Sequence, residues 1–97
     1  MFIGSLRLDL LLGDVHSLKA KRSVVRPLIA ELARHGVSVA EAGHLDLHRR
    51  ALVGVAVVAA DARHCIDVLD ACERLVAARP ELELLSARQR LINEEDE

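Results

Sequence analysis

The sequence predicts an α+β fold of four strands and two helices in the order strand, helix, strand, strand, helix, strand, and three observations carry that expectation. Apolar residues alternate with period two from Phe2 to Leu12. Two segments, one after Ser17 and one after Asp61, carry apolar stripes at helical spacing. Ala51 to Ala60 is almost continuously apolar, as a strand with neighbours on both sides would be. With 97 residues, 52% of them hydrophobic and 29% charged, the chain can fill one core and still keep a wet surface. Residues 1–92 read as a single domain and 93–97 as an acidic C-terminal tail, because Glu94, Glu95, Asp96 and Glu97 repel one another and have nothing apolar to bury.

In the first strand, Phe2, Gly4, Leu6, Leu8, Leu10 and Leu12 form one face, while Ser5, Arg7 and Asp9 fall on the other. Gly13 and Asp14 break the pattern, and Ser17 can cap a helix starting near Leu18. The stripe of that helix is Leu18, Val25, Leu28 and Leu32, with Ile29 partly on it, and Gly36 supplies the stop. Pro27 removes one helical hydrogen bond and crowds the preceding turn, so a bend or a later helix start is expected near Ser23. Val37 to Gly43 and Ala51 to Ala60 read as strands two and three, joined by the polar segment GHLDLHRR as a hairpin longer than a tight turn, with room for one helical turn. Asp61 caps the second helix, whose stripe is Cys65, Val68, Leu69, Cys72 and Val76. Pro80 ends it, and alternation returns in ELELLSARQRLI with Leu82 and Leu84 on one face.

Two striped helices cover one face of a four-stranded antiparallel sheet, and right-handed crossovers place strands one and three in its centre. This is the ferredoxin-like βαββαβ two-layer sandwich. It leaves the other sheet face bare beneath a third strand that is apolar on both sides, so a homodimer through that face or through an edge strand is expected.

The longest uncharged stretch is about half of the roughly 20 residues that a spanning helix needs. The amino terminus has no basic leader and carries Arg7 and Asp9 inside its apolar run, so a cytoplasmic protein is expected. Cys65 and Cys72 are seven residues apart on one helix, which puts their Cα atoms about 10 Å apart, beyond the roughly 7 Å limit for a disulfide. They read as buried free thiols. Formal net charge is −2, but the four terminal carboxylates account for it and the body is slightly basic.

The stretches HSLKAKRSVVRPLI at His16 to Ile29, VSVAEAGHLDLHRRALVGVAVVAAD at Val37 to Asp61, and ARHCIDVLDACERLVAARPELELL resemble the bacterial YlxP-like family of small proteins of unknown function. The resemblance covers nearly the whole chain and implies the same ferredoxin-like fold. Genes of that family lie near translation and ribosome-maturation factors, which implies an RNA-related role by association. His48 stands where an aromatic residue is usual in the family.

The residues that could carry function are mostly basic. His16, Lys19, Lys21, Arg22 and Arg26 fall in a run without one carboxylate at the start of the first helix, where free N–H groups and cations together suit a phosphate. Arg49 and Arg50 in the hairpin are expected to extend that field. The competing reading is a solvated face whose cations pair with Asp14, Glu31 and other surface carboxylates. Glu41, a carboxylate in an otherwise apolar strand, must reach an edge or find a cation. His44, Asp46 and His48 have the spacing of metal ligands but no obvious fourth partner, so no metal and no cofactor are expected.

Other chemistry finds little support. No serine sits in a nucleophile elbow, and His64 and Cys65 are adjacent, so on a helix they diverge by about 100°. The five glycines form no phosphate-binding motif. Acylphosphatases on this fold use an Arg in the first loop and an Asn on a central strand. Here that loop holds Gly13, Asp14 and Val15, and the only Asn is Asn93. Phe2 is the sole aromatic residue, so any RNA would be held by phosphates and shape rather than by base stacking. The expected function is therefore a non-enzymatic accessory protein that binds structured RNA or a ribonucleoprotein through the basic start of the first helix. The alternative is a dimeric small-molecule or protein-interaction module that uses the bare sheet face, and an enzyme acting through His44, Glu41 and Asp46 ranks third.

Overall fold

A computed structural model describes residues 1–95 of the chain; Asp96 and Glu97 of the expected acidic tail lie outside the described residues. The elements run β1 (Phe2–Leu12), α1 (Leu18–Ala33), β2 (Ser38–Gly43), β3 (Arg50–Ala59), α2 (Ala62–Ala77) and β4 (Leu82–Asn93). The sheet order is β2-β3-β1-β4 and every pair is antiparallel, which is the expected ferredoxin-like α+β arrangement with β1 and β3 central. No helix is long and apolar enough to cross a membrane among the described residues.

Period-two alternation in the central strands builds the core. Leu6, Leu8, Leu10 and Leu12 of β1 and Ala51, Val53, Val55 and Val57 of β3 turn to the helices and are buried. Against them pack Val25, Leu28 and Leu32 of α1 and Cys65, Leu69, Cys72 and Val76 of α2. Both cysteines are free and buried on that one face, and burial pushes the Cys72 thiol up. The caps form as expected: Ser17 Oγ accepts from Ala20 N at 3.0 Å, and Asp61 Oδ1 from His64 N at 2.8 Å.

Three details differ from the sequence reading. α1 begins at Leu18 and runs unbroken through Pro27, not from a later start near Ser23. The carbonyl that Pro27 leaves without a helical partner belongs to exposed Ser23, where water can satisfy it, so the helix tolerates the proline. Leu18 is also off the buried stripe at 37% exposure, and Lys21 takes the inward position beside Val25, Leu28 and Leu32. The hairpin between β2 and β3 is a turn, closed by Leu47 N donating to His44 O at 3.1 Å, with no helical turn.

β4 continues through Asn93, which pairs with Phe2, and Glu94 N donates to Met1 O at 2.8 Å. Its register shifts by one between Leu84 and Ser86, leaving Leu85 exposed. Beyond that bulge Ala87 and Gln89 face the helices, where Gln89 Nε2 donates to Asp70 Oδ1 at 2.7 Å, and Ser86, Arg88 and Arg90 face away.

Candidate functional site

The structure splits the sequence-predicted basic cluster into three groups with different fates. Lys21 is buried, at 3% exposure, and its ammonium makes three contacts that close the fold. Nζ donates to His44 O and to Leu47 O, each at 2.8 Å. It also lies 2.7 Å from Glu41 Oε2 as an ion pair, although off the best hydrogen-bonding direction for that oxygen. Glu41 thus finds the cation its apolar strand demanded, and Lys21, expected to contact a ligand, is instead removed from the surface. Both groups become useful together, because α1 and the β2–β3 hairpin are pinned by one side chain.

Arg49 and Arg50 do not extend the field of α1. Arg49 Nε donates to Leu12 O at 3.3 Å and Gly13 O at 3.1 Å, tying the hairpin to the end of β1. Arg50 pairs with Leu11 in the β1–β3 ladder and so stands on the sheet face away from the helices. There its Nη2 donates to Asp9 Oδ1 at 2.7 Å, and His44 Nε2 lies 3.5 Å from the same oxygen. His44, expected beside Asp46 and His48, is held toward Asp9 by a left-handed backbone at φ 57°. No three His, Cys, Asp or Glu side chains converge as a metal cluster among the described residues.

The hydrogen bond from Arg50, more than any other influence, holds the Asp9 carboxyl below its ordinary value; partial burial opposes it, and the charges of Arg50 and His44 add to the lowering. The folded pKa being the lower one, the pair stabilises fully above about pH 4 and this contribution is lost as pH falls through the folded value. Since Asp9 is about one-quarter exposed, Asp9→Asn should cost no more than about 1 kcal/mol near neutral pH and nothing in strong acid, as urea denaturation in the two conditions would measure.

The third group stays at the surface. His16 Nε2 sits 2.6 Å from Asp14 Oδ1, with both side chains almost fully exposed. Lys19, Arg22 and Arg26 lie at i, i+3 and i+7 on the outer face of α1, where with Ser23 and Pro27 they line an open cleft. None of the three has a carboxylate partner among the described residues: Asp14 is with His16, and Glu31 is with Arg79. The centre of positive charge is therefore one turn inside α1 rather than at its cap.

A second group of cations escaped the sequence reading. Arg7 of β1 and Arg88 of β4 are direct cross-strand partners, and Arg90 stands opposite Ser5 on the same bare face. Polar alternation marks Arg7 as facing away from the core, but its nearness to Arg88 needs the β1–β4 register.

A family model described as "Protein of unknown function (DUF503)" matches residues 3–89. The chain belongs to the DUF503 family. No curated protein matches this DUF503 chain. The family match spans α1, the hairpin and the Arg7–Arg88 pair, so both basic surfaces lie within the matched DUF503 region, apart from Arg90.

Proposed function

We propose that this DUF503 protein is a non-enzymatic accessory protein that binds structured RNA, or a ribonucleoprotein that carries it, through phosphate contacts from the outer face of α1. The observation that carries the reading is the row Lys19, Arg22 and Arg26, exposed on one helix face while the nearest carboxylates are engaged elsewhere. Two of the carboxylates that a solvated, paired face would draw on, Asp14 and Glu31, have other partners, His16 and Arg79. The resemblance of His16 to Ile29 and its neighbours to the YlxP-like family points the same way by association. With one aromatic residue in the chain, recognition is by charge and shape, which makes binding steeply salt-dependent.

The test is the affinity of the purified protein for a ribosomal RNA hairpin, followed by fluorescence anisotropy across a salt series. The double variant Lys19→Glu with Arg22→Glu should bind more weakly at every salt concentration and flatten the log–log salt slope by about 2. Unchanged affinity in that variant, or no binding by the wild type at low salt, would overturn the reading. Lys21 is not used, because its loss would damage the fold.

A further inference from the structure

The sheet face that the helices leave bare is not merely unfilled apolar surface. In its middle the residues are small: Ser5 of β1, Gly54 and Ala56 of β3, and Ser38 and Ala40 of β2 floor a shallow depression with Arg7 at its side. Beyond Arg7 the surface continues over Arg88 and Arg90 of β4. Ladder geometry sets Arg7 and Arg88 about 5 Å apart at Cβ, and Arg88 and Arg90 about 7 Å apart along the strand. None of the three makes an ion pair or a side-chain hydrogen bond among the described residues. Asp9, the carboxylate nearest along β1, is already neutralised by Arg50.

Like charges directly across a ladder destabilise a sheet, and the one carboxylate that shares a cleft with Arg7 and Arg88, Asp9, makes its ion pair with Arg50 instead. An anion lying over both would offset that repulsion. All three cations are arginines, whose planar forks suit the oxygens of a phosphate. We propose that the uncovered sheet face is a second phosphate-binding surface, on which Arg7, Arg88 and Arg90 hold the backbone of a single-stranded RNA while its sugars and bases lie over the Ser5, Ser38, Gly54 and Ala56 floor. Spacing along β4 matches successive phosphates of an extended strand. The depression is shallow and its lining residues small, so it offers a bound peptide little depth in which to anchor side chains. The three arginines, none of them paired within the fold, make the β1–β4 side of this face complementary to an anion. The choice of RNA as the polyanion rests on the function proposed above, but the surface does not, since it lies on the side of the sheet opposite α1.

A short fluorescent oligouridylate, which forms little structure, tests this surface separately from the hairpin RNA. Wild type should bind it at low salt. Arg88→Gln with Arg90→Gln should bind about tenfold more weakly, while Lys19→Glu with Arg22→Glu should stay within about twofold of wild type. In the wild-type complex the amide resonances of Gly54 and Ala56 should move, a readout independent of any variant. Failure of wild type to bind oligouridylate, or binding by the sheet variant equal to wild type, overturns the proposal even if the hairpin still binds through α1. Loss confined to the sheet variant, with hairpin binding indifferent to Lys19 and Arg22, sustains it while the α1 reading fails. Displacement by poly-glutamate at equal charge concentration overturns it in favour of an acidic peptide.

Discussion

Replacing Lys21 by Met should destabilise the protein by about 3 kcal/mol, which lowers the midpoint of thermal unfolding on the order of 10–20 °C for a domain of this length. Methionine fills much the same inward space beside Val25, Leu28 and Leu32, so the loss is polar rather than a cavity. His44 O and Leu47 O lose a charged donor, and Glu41 loses the cation 2.7 Å from its carboxylate. Glu41 retains about one-quarter of its exposure, so water can take over part of its solvation, which keeps the figure below that of a fully buried broken pair. A second step separates the parts. Glu41→Gln in the Lys21→Met background should restore the share that came from the stranded carboxylate and leave the share that came from the hairpin carbonyls. A Lys21→Met variant that melted like wild type would show that α1 and the hairpin are held by something else.

The same residue explains where sequence reading stopped. Glu41 announced a need for a cation from its apolar surroundings alone, but Lys21 could not be chosen over Lys19 or Arg22 without the crossing of α1 over β2. Helical periodicity is ambiguous at its first turn: Leu18 and Lys21 are adjacent on the wheel, and hydrophobicity favoured Leu18 as the buried one. Two carbonyl acceptors of the hairpin and the Glu41 carboxylate of β2 reversed that preference. Element order, both caps and the core stripes were legible because they depend on neighbours within a few residues in the chain. The Arg7–Arg88 pair was not, because 80 intervening positions and a bulge at Leu85 separate the partners, and a slip of one residue would turn Arg88 toward the helices. Arg49 and Arg50 were misplaced for a related reason. Adjacent residues at a strand start point to opposite faces, so a run of two arginines serves two sides of the sheet rather than one field.

Neighbouring residues on β1 should therefore respond in opposite directions. Leu8, fully buried at the centre of the sheet and the core, should lose about 2–5 kcal/mol of stability on change to Ala, by lost burial and the cavity left between β1 and the helices. Arg7→Gln, one residue earlier, should cost nothing and raise stability by a few tenths to about 1 kcal/mol, since it removes one of two like charges paired across the ladder. Added salt should shrink the second effect and leave the first untouched, because screening acts on exposed charges and not on packing. Urea midpoints for the two variants at low and high salt would measure both. A destabilised Arg7→Gln would mean that its guanidinium supports the sheet after all. A stabilised one would show that the bare face gives up folding energy to keep three arginines together, an arrangement that folding does not need and an anionic partner does.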